Sequence, residues 1–195
     1  VAYAQRMMED IIDIEVEKLD AIIHKIEDDP EDFEIKRVEY NMWQNIRKKA
    51  LEGRRTGVGI TAEGDMQAAL GLTYGSENGI DFSEEVHKTI ALEAYRSSVQ
   101  LAKERGPFEV YEAEKEKNNP LINRLKGEDE QLYKDMVQYG RRNISLLTIA
   151  PTGTTSLMTQ TTSGIEPVFL PVYKRRRKVN PSDNESKVTY VDEVG

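Results

Sequence analysis

The sequence predicts an α/β fold, in which amphipathic helices alternate with short extended segments. Two observations lead to this prediction. Apolar residues recur at helical spacing over roughly residues 3–28, and again in a second stretch that stops before Gly53. Two short β-prone runs, Arg54 to Thr61 and Ile144 to Ile149, lie further along the chain. We therefore expect helices packed against a few strands, and no internal repeat is evident.

Composition limits the classes of function. The chain has 195 residues, of which 38% are hydrophobic and 32% are charged, as in a globular domain or part of a larger one. Its net charge of −8 argues against general affinity for nucleic acid or anionic membranes. No apolar run reaches the length of a membrane span, and no signal-peptide pattern opens the chain. Without cysteine these residues can form no disulfide, thiolate metal site or thiol catalyst, and a cytoplasmic location fits this pattern.

Residues 1–52 are predicted to form a pair of helices. Asp28 to Pro30 close the first helix, because proline cannot continue it. The second helix ends before Gly53, and its Trp43 is assigned to packing. Both apolar stripes are expected to face the core. The first comprises Met7, Met8, Ile11, Ile12, Leu19, Ile22, Ile23 and Ile26, and the second Val38, Met42, Trp43, Ile46 and Ala50.

Residues 53–173 are predicted to hold the strands and the remaining helices. Glycines end several of these elements, and Asp81 with Glu84 has the spacing of a capping box. After the strand Arg54–Thr61, the predicted elements are a helix from Glu63 to Leu70, a turn from Gly71 to Ser76, a long helix from Asp81 to Gly106, a charged surface segment over 109–128, a helix from Glu128 to Tyr139 capped by Gly140, the strand Ile144–Ile149, a short helix from Thr154 to Thr162 and a strand from Val168 to Tyr173.

The second predicted strand leads into a small, hydroxyl-rich loop with Gly153 at its centre. A strand that runs through such a loop into a helix presents free N–H groups and the positive end of the helix dipole to an anion. The candidate phosphate-binding residues are Pro151, Thr152, Gly153, Thr154, Thr155 and Ser156. The same residues are also typical of an ordinary turn followed by a helix cap. Glu166, close behind, could orient a hydroxyl or cap a turn, and from the residues alone both alternatives stay open.

Other polar residues suggest weaker candidates. His24 and His87 are isolated on helices, so we expect surface residues and no metal site. The run Arg141 to Asn143 could add positive potential to a bound phosphate or neutralise the end of the preceding helix, and we favour the second role. The tail, 174–195, begins with a basic run at 174–178 that is interpreted as a solvated face or as charge near a phosphate.

Five longer motifs occur in a characteristic order. They are Arg-Arg-Thr-Gly-Val-Gly-Ile-Thr61, Ala-Ala-Leu-Gly-Leu-Thr-Tyr-Gly75, Leu-Ala-Lys-Glu-Arg-Gly-Pro-Phe108, Arg-Arg-Asn-Ile-Ser-Leu-Leu-Thr-Ile-Ala-Pro-Thr-Gly-Thr-Thr-Ser156 and Thr-Thr-Ser-Gly-Ile-Glu-Pro-Val-Phe169. Together they resemble the large catalytic subunit of ribonucleotide reductase. The Pro-Thr-Gly-Thr form of the loop is similar to the adenosylcobalamin-dependent class II branch, whereas class I enzymes tend to carry Pro-Ser-Glu-Thr-Ser here.

The resemblance implies a ten-stranded α/β barrel, of which this chain would be a partial domain, 1–195, from the C-terminal half. It implies an enzyme that reduces ribonucleoside diphosphates to 2′-deoxyribonucleotides by a radical mechanism, with adenosylcobalamin as cofactor and an external thiol as reductant. It also implies that the segment from Pro151 to Thr155 binds the substrate phosphates, with Ser156 assisting at the helix start.

The departures from that family limit what this chain is expected to do. The family's thiyl cysteine, its redox cysteine pair and the Asn and Glu beside them find no match here, so we assign no catalytic residue. We expect an excised piece of a longer protein that does not bind the cofactor alone and whose cofactor-contacting residues are unknown. Open strand edges would favour a homodimer. Two alternatives remain: a helical interaction domain that uses the basic run 174–178, and a stand-alone phosphate-binding module.

Overall fold

The computed structural model describes residues 1–170 and residue 172, and this part of the chain is helical. No strand is formed among these residues, so the predicted α/β class, with its half of a ten-stranded barrel, is wrong for them. The eight helices in the described part are α1 (Ala2–Asp28), α2 (Phe33–Gly53), α3 (Glu63–Ala69), α4 (Glu77–Arg105), α5 (Ala113–Glu116), α6 (Pro120–Glu128), α7 (Glu130–Tyr139) and α8 (Gly153–Thr159).

The two runs predicted as the first strands, referred to as the first and second extended runs, form no strand in the described part and pair with each other at a single bridge. Val58 and Leu147 form an isolated parallel bridge. The amide of Val58 donates to the carbonyl of Leu146 at 2.7 Å, and its carbonyl accepts from the amide of Thr148 at 3.0 Å. A sheet requires repeated ladders between several neighbouring strands. Each run has one neighbour of this kind in the described part, so the predicted strands and their sheet are wrong for these residues.

The third predicted strand, Val168 to Tyr173, is also wrong as far as it is described. Val168, Phe169, Leu170 and Val172 adopt no strand, and the rest of that run lies outside the described residues. The basic run 174–178 lies entirely outside them as well.

Helix α4 begins four residues earlier than predicted. The Ser76 hydroxyl accepts a hydrogen bond from the amide of Gly79 at 3.2 Å and caps the helix. Asp81 therefore lies inside the helix, and the prediction that it is the cap is wrong. Ser76, whose backbone is extended, already caps the start of the helix, so no further cap is needed at Asp81.

The charged segment 109–128 is more ordered than predicted, because it contains α5 and α6. Asn119 caps α6 by accepting from the amide of Leu121 at 3.0 Å, and Pro120 occupies the first helical position. Helix α7 ends at Tyr139 and is capped by Gly140, as predicted. The backbone of Gly140 has a φ of 74°, which favours glycine.

The main apolar core lies between α4, α6, α7 and the extended run after Asn143. Helix α1 packs against α2 and α4, and its own buried apolar residues are Ile12, Leu19, Ile23 and Ile26. The main core comprises Ala94, Tyr95, Val99, Ile122, Leu125, Leu132, Met136 and Leu146.

The predicted stripes on α1 and α2 were only partly correct. Met7 and Ile11 are exposed, since α1 turns Gln5 and Glu9 toward the interior instead. Every apolar residue of α2 keeps some exposure, and only Gly53 of that helix is buried. Hydrophobic periodicity locates a helix well, but it does not show which of two apolar faces a neighbour covers.

A buried polar network fixes the start of the extended run that leads to the loop. Glu9 and Asn143 are both 0% exposed. The side-chain amide of Asn143 donates to Glu9 Oε2 at 2.5 Å. Glu9 Oε1 accepts from Arg54 Nε at 2.5 Å and from Arg142 Nε at 2.7 Å. The network joins α1 to the beginnings of both extended runs, so the charge of Arg142 is neutralised within the protein.

Arg141 is also buried, and its contacts lie inside the protein. Its guanidinium is bonded to the Glu116 carboxylate and lies 5.4 Å from the ring centre of Phe108 and 5.6 Å from that of Tyr95. Both arginines of this run are therefore held in internal ion pairs, and Arg142 also donates to the carbonyls of Arg105 and Gly106 at the end of α4.

Candidate functional site

The loop predicted to bind phosphate joins the second extended run to α8. This helix spans Gly153–Thr159 rather than the predicted 154–162. Thr152 precedes it in the left-handed region, with a φ of 47°, and Gln160 ends it in the same region with a φ of 57°. The unusual backbone at Thr152 turns the chain sharply into the helix, so that the first amides of the helix follow directly on the loop.

Two of the loop's four hydroxyl groups hold the loop together. The Thr152 hydroxyl accepts from the amide of Gly164 at 2.6 Å and donates to the Thr61 hydroxyl at 3.1 Å. Ser156 is buried, and its hydroxyl donates to the carbonyl of Gly153 at 2.8 Å. These hydroxyls thus connect the loop to the residues before α3 and to the first turn of α8.

The remaining donors of the loop have no partner in the described part of the chain. The amides of Gly153, Thr154 and Thr155 have no acceptor among the residues that the structure describes, and all three residues are exposed. The hydroxyls of Thr154 and Thr155 likewise make no hydrogen bond within the described part. By contrast, the amide of Ser156 donates to the carbonyl of Thr152 at 2.8 Å. Three neighbouring N–H groups and two hydroxyls are therefore available to an oxyanion.

Gly153 leaves the approach to these amides open. A Cβ added at this glycine would meet nothing within 4 Å. A side chain at this position would therefore meet no clash, and the space beside the backbone is open. Pro151 has no N–H group and contributes only the direction of the chain.

Pairing of the two extended runs is expected to depend on Gly59. A Cβ added there would lie 2.4 Å from the Thr148 carbonyl oxygen, a backbone atom that cannot rotate away. We predict that Gly59→Ala lowers the free energy of unfolding by about 1–3 kcal/mol, measured by urea denaturation. Gly127→Ala is the matched control, because an added Cβ on α6 meets nothing within 4 Å and should not destabilise the chain. Equal stability of the two variants would contradict the proposed close contact.

A second polar cluster, which sequence reasoning missed, lies between α3 and α4. Glu63 is buried and accepts hydrogen bonds from the Ser83 hydroxyl and from His87 Nε2, the latter at 2.8 Å. Gln67 Nε2 donates to Ser83 Oγ at 2.8 Å. His87 was predicted as an isolated surface residue, but it is only partly exposed and is bonded to a buried carboxylate. Ser83 and His87 are four residues apart and share a helix face, which was a usable signal, whereas nothing in the sequence indicated Glu63 as their partner.

Groups of metal ligands and membrane-spanning helices are both absent from the described part of the chain. Among residues 1–170 and 172, no group of three or more histidines and carboxylates is arranged to hold a metal ion. None of the described helices is both long enough and apolar enough to cross a bilayer.

Comparison with known proteins identifies clear relatives. A family described as "Ribonucleotide reductase, barrel domain" matches residues 2–192. The vitamin B12-dependent ribonucleoside-diphosphate reductase of Mycobacterium tuberculosis is 30% identical over 131 residues, which cover 67% of this chain and 16% of that protein. The protein of the same name from Thermoplasma acidophilum is 31% identical over 133 residues, covering 68% of this chain and 15% of the relative.

A relative without B12 in its name is similar to the same degree. The ribonucleoside-diphosphate reductase subunit alpha of Chlamydia pneumoniae is 30% identical over 138 residues, covering 61% of this chain and 13% of the relative. The chain thus spans between 13% and 16% of the length of these three proteins.

Proposed function

The chain belongs to the ribonucleotide reductase barrel-domain family, and from that membership we propose that it forms the substrate-phosphate site of a vitamin B12-dependent ribonucleoside-diphosphate reductase. The observation that supports this role is the set of three amides, at Gly153, Thr154 and Thr155, with no acceptor among the described residues. The diphosphate class of substrate follows from the names of the relatives.

The proposed chemistry of this site is binding and orientation. The amides donate to phosphate oxygens, and the two free threonine hydroxyls add further donors. Hydrogen bonds to a charged group are each worth about 1.5–3 kcal/mol, and the helix dipole adds about 0.3–1 kcal/mol. Thr152 and Ser156 act indirectly, because their hydroxyls fix the loop in the shape that presents the amides. The loop thereby holds the nucleotide by its phosphates, and residues outside this chain act on the ribose.

Radical chemistry is not assigned to residues of this chain. Adenosylcobalamin, when bound to an enzyme of this kind, supplies the radical that starts the reduction. This chain has no cysteine to receive a radical or to deliver reducing equivalents, and its described residues present no metal-ligating cluster. No residue of this chain is assigned to the cofactor, so we derive no step through it. In our proposal the full-length enzyme is cytoplasmic and takes its electrons from an external thiol.

The two alternative functions have less support. The basic run 174–178 lies outside the described residues, so no contact or exposed face favours a helical interaction domain. A stand-alone phosphate-binding module would share the loop, but it gives no reason for a family match that extends over residues 2–192. Self-association through strand edges also loses its basis, since the described residues contain no sheet.

An amide-resolved titration tests the phosphate site on the 195-residue chain. We expect pyrophosphate to shift the NMR signals of Gly153, Thr154 and Thr155 together and saturably, because these amides would share one ligand. Chloride at matched ionic strength is the control and should leave the three signals unchanged. If pyrophosphate shifts only residues of the basic run 174–178, the loop is not the phosphate site.

A further inference from the structure

Unusual backbone conformations are concentrated where the candidate phosphate loop meets the start of α3. In the described part of the chain, four residues other than glycine have a positive φ. Three of them, Ala62, Thr152 and Gln160, lie within two residues of the contacts between the loop and α3. A β-branched residue such as Thr152 rarely adopts this conformation, which persists only where surrounding contacts hold it. The contacts of Thr152 therefore indicate what fixes the shape of the loop.

A chain of three hydrogen bonds runs through the hydroxyl of Thr152. The amide of Gly164 donates to this hydroxyl at 2.6 Å, and the hydroxyl donates to Thr61 Oγ1 at 3.1 Å. Thr61 in turn donates its single proton to the carbonyl of Thr162 at 2.9 Å. Because the three bonds point in the same direction along the chain, each strengthens the next. The Thr61 hydroxyl has no proton left for a ligand, so its effect on a ligand passes through the residues that it holds.

The end of this chain, Thr162, is itself attached to the first turn of α3. Its amide donates to Asp65 Oδ2 at 2.8 Å, and its carbonyl also accepts from the amide of Ala62 at 3.1 Å. Gly64 permits this close approach, since an added Cβ there would lie 2.6 Å from a backbone carbon five residues beyond Thr162. Thr61 therefore connects the loop to a part of the fold that several further contacts hold in place.

The backbone of Thr152 determines where the neighbouring amides point. Thr152 directly precedes α8, and its carbonyl accepts from the amide of Ser156 at 2.8 Å. Rotation of Thr152 out of the left-handed region would therefore reorient the first turn of α8. The amides of residues 153–155, which have no acceptor in the described part, would turn with it.

We propose that Thr61 is a positioning residue for the substrate phosphates, because its hydroxyl holds Thr152 in the conformation that aims the amides of residues 153–155 at the ligand. This inference rests on the proposed phosphate site. Valine at position 61 would keep a similar shape and remove the acceptor of the Thr152 hydroxyl. The carbonyl of Thr162 would still accept from the amide of Ala62, so no buried carbonyl would lose its only partner.

Steady-state reduction of a ribonucleoside diphosphate by the full-length enzyme tests this role. We expect Thr61→Val to raise KM about 3- to 10-fold with little change in kcat, since the lost hydrogen bond supports ground state and transition state alike. Thr61→Ser keeps the hydroxyl and should have the KM of the unaltered enzyme. Thr89→Val is the matched control, because Thr89 is exposed on α4, and it should change neither constant. Partial unfolding would lower the amount of active enzyme, and therefore kcat, without raising KM.

A second background shows whether Thr61 acts through Thr152. Thr152→Gly removes the hydroxyl, and glycine adopts a positive φ without strain. In the Thr152→Gly enzyme we therefore expect Thr61→Val to cause no further rise in KM. An equal rise in both backgrounds would overturn the inference. So would an unchanged KM for Thr61→Val in the otherwise unaltered enzyme, or a KM for Thr61→Ser as high as that for Thr61→Val.

Gly153→Val, measured beside these variants, separates failure of this inference from failure of the proposed function. If Gly153→Val raises KM and Thr61→Val does not, the phosphate site stands and the positioning role of Thr61 is wrong. If neither substitution raises KM, the phosphate site itself is wrong, and the role of Thr61 is overturned with it.

Discussion

Replacing Glu9 by glutamine is expected to lower the free energy of unfolding of the chain by about 3–5 kcal/mol. The carboxylate of Glu9 is 0% exposed and accepts from Arg54, Arg142 and Asn143. Arg54 keeps one other carboxylate, Asp13, at 2.6 Å, but the buried guanidinium groups would face a neutral amide in place of their central anion. Leaving buried charges without a partner costs much more than losing a surface ion pair.

The electrostatics of Arg54 agree with this expectation. Burial opposes its charge, yet the hydrogen bonds that Arg54 donates to Glu9 and Asp13 raise the pKa of Arg54 above its ordinary value. The Arg54 guanidinium therefore stays charged in the folded protein. The stability of the fold then depends on the carboxylates around this group. Since the side-chain amide of Asn143 also bonds to the backbone carbonyl of Arg54 at 2.9 Å, loss of Glu9 should loosen the start of both extended runs.

Urea denaturation followed by circular dichroism measures the effect. Glu17→Gln is the matched control, because Glu17 lies on the same helix, is exposed and makes no ion pair within the described part. We expect the control to unfold within about 0.5 kcal/mol of the unaltered chain. A loss of less than about 1 kcal/mol for Glu9→Gln would place it in the range of surface pairs and contradict the central role of this carboxylate.

Much of the helical framework could be predicted from local signals. The span of α1 and the glycine at the end of α7 agree with the sequence-based boundaries, because caps and periodicity involve neighbouring residues only. The buried network was not predictable in the same way. Gln5 and Glu9 look like one turn of a solvated helix face, and their partners Thr56 and Asn143 lie far away in sequence.

The α/β prediction was wrong for a physical reason of the same kind. The runs around Val58 and Leu147 have the composition of strands and meet at one bridge, but whether they join a sheet depends on additional strands beside them. Within the described residues they bond to one another and to no further strand. Composition indicates that a segment favours the strand conformation. It does not indicate how many strands will lie beside that segment.

The candidate loop shows how far sequence can define a site. Its position before a helix was predicted, whereas the uses of its hydroxyls were not. Thr152 and Ser156 were predicted as donors to the phosphate, but both hydroxyls are engaged inside the protein. Thr61 and Gly164 bind Thr152 from distant positions that no local pattern connects. The backbone amides at the start of α8 depend only on where the helix begins, so their position was easier to predict than the contacts of the hydroxyl groups.

Substituting Gly153 by valine in the full-length enzyme tests the central claim, that the amides following Thr152 bind the substrate phosphates. An added side chain at Gly153 meets no protein atom within 4 Å, so the fold should tolerate it. The same side chain would occupy the space through which a phosphate oxygen reaches the backbone. Losing one hydrogen bond to a charged group costs about 1.5–3 kcal/mol, which corresponds to a rise in KM of about 10- to 100-fold.

The matched control is Gly127→Val, because Gly127 is also exposed and also has open space around an added Cβ. The measurement is steady-state reduction of a ribonucleoside diphosphate by the unaltered enzyme and both variants. The phosphate-site account predicts that Gly153→Val raises KM about 10- to 100-fold with little change in kcat, since a bond equal in ground and transition states is lost. It also predicts an unchanged KM for Gly127→Val. An unchanged KM for Gly153→Val would contradict the account directly.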